Sequence, residues 1–234
     1  MATPVQDQLV ALLRGSKLLD VLPEAELREL STRVHRTKHS SGDTIFRKHD
    51  AGSGMMVLVS GRVKITSVGS SGTEIMLNII DPGQVFGEIA LLDGEPRSAD
   101  AVAEAPTEII TLLRRDFLPI LARHPEAALE MMTVLCSRIR QTTAFVEDAV
   151  LLDVPTRLLH RLKSLADQYG RDDEKGVYIN HKLSQQGLGD SVGLTRVSIN
   201  RQLGAWRQAG FIETGKGWIR VLDFEALEDH VYGG

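Results

Sequence analysis

Cysteine is nearly absent, since the 234-residue chain has only Cys136. One thiol cannot close an internal disulfide, nor can it supply the thiolates of an iron-sulfur cluster or of most structural zinc sites. Aromatic residues are scarce at 5%. No run approaches the roughly eighteen consecutive apolar residues that a membrane-spanning helix needs. Met1 to Gln8 is polar rather than a basic-then-apolar leader, so a cytoplasmic location with no membrane partner is expected. A P-loop, a nucleophile elbow and a metal-spaced pair are also missing. The seven histidines are scattered, and His35 and His39 flank a strand-like segment, where helical metal spacing does not apply. Neither an enzyme nor a metal site is expected.

What is present is an ordinary folded composition, 42% hydrophobic and 25% charged, in a length that suits one medium domain and one small one. The net charge is −4, but it is unevenly spread. From Lys182 to Arg220 six basic residues face two acidic ones, while Asp223 to Asp229 holds four acids. A local basic patch of this kind can meet phosphates within an acidic protein.

Leu9, Leu12, Leu13, Leu22, Leu27 and Leu30 have helical spacing and predict two short leading helices, the second opened by Pro23. Between about residues 33 and 113 the pattern changes to short alternating or β-branched runs: Asp43 to Phe46, Met55 to Val59, Val63 to Val68, Glu74 to Ile80 and Glu108 to Leu113. Turn signals separate them at Ser60-Gly61, Gly69-Ser70-Ser71-Gly72 and Asp81-Pro82-Gly83, which predicts a barrel or roll. Helical periodicity returns from about Pro125 to Leu152. There Met132, Cys136, Ile139, Thr143, Val146 and Val150 form a heptad seam, beside a second stripe of Met131, Leu135, Arg138, Thr142, Phe145, Ala149 and Leu152. One stripe can pair with a partner helix while the other packs on the roll, predicting a homodimer; the alternative is one buried helix with a broad apolar face. Asp153-Val154-Pro155 is a stop and restart. Beyond it, segments at Leu183 to Val192 and Thr195 to Gln208, joined at Gly193 and followed by a hairpin around Gly215-Lys216-Gly217, match a winged helix-turn-helix.

Within Phe86-Gly87-Glu88-Ile89-Ala90-Leu91-Leu92-Asp93-Gly94-Glu95-Pro96-Arg97-Ser98-Ala99, a glycine permits close backbone approach, amides open a helix, and an arginine supplies a bidentate cation. This segment resembles the phosphate-binding cassette of cyclic-nucleotide-binding domains, and the whole chain resembles the cAMP receptor protein family of bacterial transcription regulators. The resemblance implies an α+β chain. Residues 1–124 would be a cyclic-nucleotide-binding β-roll (double-stranded β-helix or jelly roll) with flanking helices, 125–153 a dimerisation helix and hinge, and 154–234 the winged helix-turn-helix.

It further implies that Arg97 and Ser98 hold the cyclic phosphate and that Glu88 accepts from the ribose 2′-hydroxyl, with the backbone of Gly87, Glu88, Ile89 and Ala90 closing around both. A structural ion pair between Glu88 and Arg97 is the competing reading. Counted back from Asp153, Arg138, Thr142 and Thr143 fall where cAMP-responding members keep a phosphate-facing arginine and two base-contacting hydroxyls, one from each subunit. The threonines read equally as heptad filler. cAMP is the expected ligand; cGMP stays open because a hydroxyl donates or accepts. Members that sense haem-borne gas or redox state share the roll and form the other alternative.

On the DNA side, Arg196 and Arg201 correspond to the family's two guanine-reading arginines, Thr195 to an N-cap or phosphate contact, Asn200 to a residue near the bases, and Lys216 to the wing. Solvated arginines are the bland reading. Val197 stands where the family has a glutamate that accepts from cytosine N4; valine suits a thymine methyl instead. Gly187, in the motif's first helix, is a second departure, costing about 1 kcal/mol of helix stability. The implied partners are palindromic double-stranded DNA, a second copy of the chain and RNA polymerase.

Overall fold

The structure is a computed structural model and describes residues 4–69, 74–180 and 184–233. The turn residues Ser70 to Gly72, and Lys182 and Leu183 ahead of the helix-turn-helix, lie outside the described residues. The chain divides into two compact units, 1–67 with 77–140, and 68–76 with 141–234.

The first unit opens with three helices, α1 (Pro4–Arg14), α2 (Lys17–Asp20) and α3 (Glu24–Ser31). One more helix forms than the leucine spacing suggests, because Ser16 starts a single extra turn that buries Leu18 and Leu19. Eight strands follow: β1 (His35–His39), β2 (Thr44–Phe46), β3 (Gly54–Ser60), β4 (Val63–Val68), β5 (Glu74–Ile80), β6 (Val85–Phe86), β7 (Asp100–Ala103) and β8 (Thr107–Leu113). They form two four-stranded sheets, β1-β8-β3-β6 and β2-β7-β4-β5. Helix α4 (Glu88–Asp93) interrupts the strands, and α5 (Arg114–Arg123) and the first part of α6 (Pro125–Leu151) follow them.

Strand β3, Gly-Met-Met-Val-Leu-Val-Ser, shows why the roll closes. Its run is apolar on both faces, as a strand covered on both sides must be. Met55 and Val57 point into a cluster with Leu13, Leu27, Leu91, Phe117 and Met131 of the helices. Met56 and Leu58 point into the roll against Ile80, Phe86 and Ile109. The pairing Met56 to Phe86 and Val57 to Ile110 sets that register.

The second unit continues α6 into α7 (Val154–Tyr169), whose N-cap Asp153 accepts a hydrogen bond from the Thr156 amide at 3.0 Å. Two hairpins, β9 (Gly170–Asp173) with β10 (Gly176–Ile179) and β11 (Ile212–Gly215) with β12 (Trp218–Val221), join in one sheet ordered β11-β12-β10-β9. Helices α8 (Gln185–Asp190) and α9 (Arg196–Gln208) precede the second hairpin, and α10 (Phe224–Tyr232) follows it. The acidic Asp223 to Asp229 stretch is therefore helical, with Asp223 capping it and Leu227 buried. Along α6 the residues of the first heptad seam stay uncovered: Met132 is 57% exposed, Ile139 64%, Val146 51% and Val150 74%. Met131, in the second stripe, is 3% exposed.

Candidate functional site: a buried cationic cradle and a helix-turn-helix

Gly87 follows β6 and caps α4 in a left-handed conformation (φ 73°). A side chain there would meet the Arg97 Nη1 atom at 2.5 Å, so the position requires glycine twice over. Arg97 is clamped through its backbone. Its carbonyl accepts from the His49 amide at 2.9 Å, and its amide donates to the Asp50 carbonyl at 2.9 Å. Its guanidinium lies 4.4 Å from the Phe46 ring centroid and donates through Nη1 to the Gly87 carbonyl at 2.8 Å.

Arg97 is 4% exposed, and its buried Nε has no hydrogen-bond partner. Desolvation lowers its pKa despite the opposing pull of Glu88 and Asp50. Glu88, also 4% exposed, makes no ion pair with Arg97 among the described residues. It sits 3.6 Å from the Arg138 Nε, whose Nη2 donates to the Val85 carbonyl at 3.0 Å. The competing structural pair is thus not formed; the nearest charge to Glu88 comes from α6. A buried guanidinium with an orphaned N–H and no carboxylate in contact is chemically fitted to receive an anion, since burying a cation unpaired is costly.

The structure brings together Gly87, Glu88, Arg97 and Arg138. Ala90 is buried, Ile89 is 40% exposed, and Ser98, next to Arg97 in sequence, is exposed. Thr142 and Thr143 lie further along α6, exposed, in the second unit. Sequence reading missed Phe46, which stacks on Arg97, and Asp50, because their tie to Arg97 is a tertiary pairing with no local spacing signal. It also missed His49, whose φ of 73° is the one positive value at a non-glycine position among the described residues. Among the described residues no three His, Cys, Asp or Glu side chains group as metal ligands.

In the second unit, α8 and α9 meet at a turn where Gly193 has a φ of 66° and the Leu194 amide donates to the Gly189 carbonyl at 2.9 Å. Thr195 caps α9 by accepting from the Ser198 amide at 3.2 Å. Ile199, Leu203 and Trp206 form the buried face of α9, which turns Arg196, Val197, Asn200 and Arg201 outward by helical period. Val197 is 77% exposed. Arg196 and the exposed Lys216 of the β11-β12 turn both border a cleft of about 410 Å³ lined also by Ser184, Gln185 and Trp218. Arg196, Arg201 and Lys216 make no ion pair among the described residues, leaving three cations on the outward face.

Residues 36–124 match the cyclic nucleotide-binding domain family, and residues 156–230 match the Crp-like helix-turn-helix domain family. A global nitrogen regulator of Synechococcus elongatus is 34% identical over 80% of this chain and 85% of its own length. The chain belongs to the CRP family of transcription regulators. A CRP-like cAMP-activated global transcriptional regulator of Mycobacterium tuberculosis is 27% identical over 94% of this chain and 97% of its own length. A c-di-GMP-responsive global regulator of Xanthomonas campestris shares the fold, with a TM-score of 0.75 at 20% identity, over 86% of this chain and all of that one. This CRP-family chain is therefore a DNA-binding regulator with a cyclic nucleotide-binding domain and no expected catalysis. Among the described residues no helix is long and apolar enough to cross a membrane.

Proposed function

We propose that the chain is a cAMP-responsive regulator that binds palindromic DNA as a homodimer. The buried Arg97 guanidinium, with no carboxylate in contact and an unpartnered Nε, carries this reading. A cyclic phosphate would supply the missing charge, and the exposed Ser98, next in sequence, would offer its hydroxyl. Glu88 accepts from a ribose hydroxyl, and Arg138, already beside Glu88 at 3.6 Å, registers the ligand on α6. Thr142 and Thr143 offer hydroxyls to the base, from the ligand's own subunit and from its mate.

The uncovered seam of Met132, Ile139, Val146 and Val150 supports pairing of α6 with a second copy. Ligand bound between two such helices biases their geometry, and so the spacing of two copies of α9, toward about 34 Å, one turn of B-DNA. Arg196 and Arg201 then read base edges, Thr195 and Lys216 hold phosphates, and RNA polymerase is the downstream partner. The mycobacterial relative described as cAMP-activated supports cAMP, and the Xanthomonas regulator shows that ligand varies on this fold. Calorimetric titration with cAMP, cGMP and c-di-GMP tests the assignment. cAMP should bind below roughly 100 μM, equivalent to about 5.5 kcal/mol, with cGMP weaker. Binding of neither cAMP nor cGMP refutes it.

A further inference from the structure

Beyond Arg97 and Arg138, a third arginine contacts the cassette helix, and the family reading leaves it unused. Helix α4 carries Glu88 at its first turn, and Leu91, 0% exposed, seats it in the apolar cluster with Phe117 and Ile120 of α5 and Met131 of α6. Apolar seating is non-directional, so by itself it leaves α4 free to slide or rotate on that cluster. The free carbonyls at the end of α4 provide the directional hold. Gly94 N–H donates to the Ala90 carbonyl at 3.2 Å, and the next two carbonyls are taken by a single side chain. Arg114 donates from Nε to the Leu91 carbonyl at 2.7 Å and from Nη2 to the Leu92 carbonyl at 3.1 Å. Its own amide donates to the Ser53 carbonyl at 2.8 Å. Among the described residues Arg114 has no carboxylate partner, so those two carbonyls are what its fork engages.

We propose that Arg114 is a positioning residue for the nucleotide cradle: as first residue of α5, it grips the C-terminal carbonyls of α4 and fixes how Glu88 and Gly87 present themselves to the ligand. The planar fork suits the task because two parallel N–H groups on one rigid plane define an orientation as well as a distance, which one ammonium cannot do. Because α5 runs through His124 into α6, the same grip joins the cassette helix to the helix that carries Arg138. The role toward the ligand rests on the cyclic-nucleotide reading above.

The test uses the full-length chain and its Arg114→Met and Arg114→Lys variants, with cAMP calorimetry and amide hydrogen exchange without nucleotide. Arg114→Met should weaken cAMP binding by about ten-fold or more, the cost of two carbonyls left without their charged donors. It should also speed exchange within residues 87–93 while leaving the β3 and β8 amides unchanged. Arg114→Lys, able to satisfy one carbonyl, should fall between Arg114→Met and the parent in both readouts. Affinity within two-fold of the parent together with unchanged exchange at 87–93 overturns the proposal. So does faster exchange spread over the whole roll with no recovery by lysine, which marks Arg114 as a general stabiliser. A parent chain that binds neither cAMP nor cGMP removes the ligand itself, and with it the role of Arg114 toward it, whatever the exchange shows.

Discussion

Replacing Arg97 by methionine, which keeps length and loses charge, should leave the ligand-free chain as stable as before or more so, while destroying its response to nucleotide. Burial of this cation costs several kcal/mol in lost hydration. Against that stand the charged hydrogen bond to the Gly87 carbonyl, about 1.5–3 kcal/mol, and the Phe46 face, about 2 kcal/mol when desolvated. Glu88 and Asp50 attract from beyond ion-pair distance. The contributions nearly cancel, so Arg97→Met should change stability by between zero and about 2 kcal/mol in the favourable direction. The melting temperature should therefore stay level or rise by a few degrees, at about 2–4 °C per kcal/mol for a chain of this length. Binding should behave oppositely. Loss of a buried partner to phosphate costs about 3–5 kcal/mol, at least a hundred-fold in Kd. At a concentration one hundred times the parent's Kd, cAMP should stabilise the parent by about 2.7 kcal/mol and the variant by at most about 0.4 kcal/mol. Thermal melts with and without cAMP, together with calorimetry, read both effects. A ligand-free loss above about 2 kcal/mol, or affinity kept within ten-fold, would show that Arg97 is a core fixture rather than an anion receptor.

Val197→Glu should restore a G·C preference at the base pair beneath that position, read by selection from random DNA; the parent should select A·T or nothing there, and identical sites for both would refute the contact. Ile139→Lys, a charge in the centre of the uncovered α6 seam, should shift the chain from dimer to monomer in analytical ultracentrifugation. A dimer that persists at low micromolar concentration places the interface elsewhere. His49→Gly removes a non-glycine residue held at a φ of 73° and should stabilise the chain by about 1 kcal/mol in urea melts. A loss of stability would mean that the imidazole makes a compensating contact.

The parts of this protein that could be read from sequence are those in which local pattern and tertiary role coincide. The apolar run of β3, the long helix α6 and the Gly193 turn each follow from spacing alone, and each forms where its spacing points. The strand-like reading at His35–His39 is met by β1, although this edge strand beside β8 is largely exposed and has no inward apolar alternation to mark its bounds. Strand β9 leaves no apolar pattern in the sequence because Gly170–Asp173 has no buried face of its own and is held by backbone pairing to β10. At the cradle, the cassette residues were visible as a contiguous motif. Two of their partners were not: Phe46 under Arg97 and Arg114 behind α4 are brought in by strand register and helix packing, whereas Arg138 came through the family resemblance. The choice of Arg138 over Arg97 as the neighbour of Glu88 is likewise a matter of tertiary distance.

The central claim is that occupancy of the Arg97 cradle controls how the outward face of α9 meets DNA. Its most direct test is selection of binding sites from random duplexes with and without saturating cAMP, followed by anisotropy titration of the best site. The expected result is a palindrome with half-sites one helical turn apart, bound at least about five-fold more tightly with cAMP, the lower end of an ordinary allosteric coupling, and no cAMP effect in Arg97→Met. Equal affinity for that site with and without cAMP in the parent chain would contradict it.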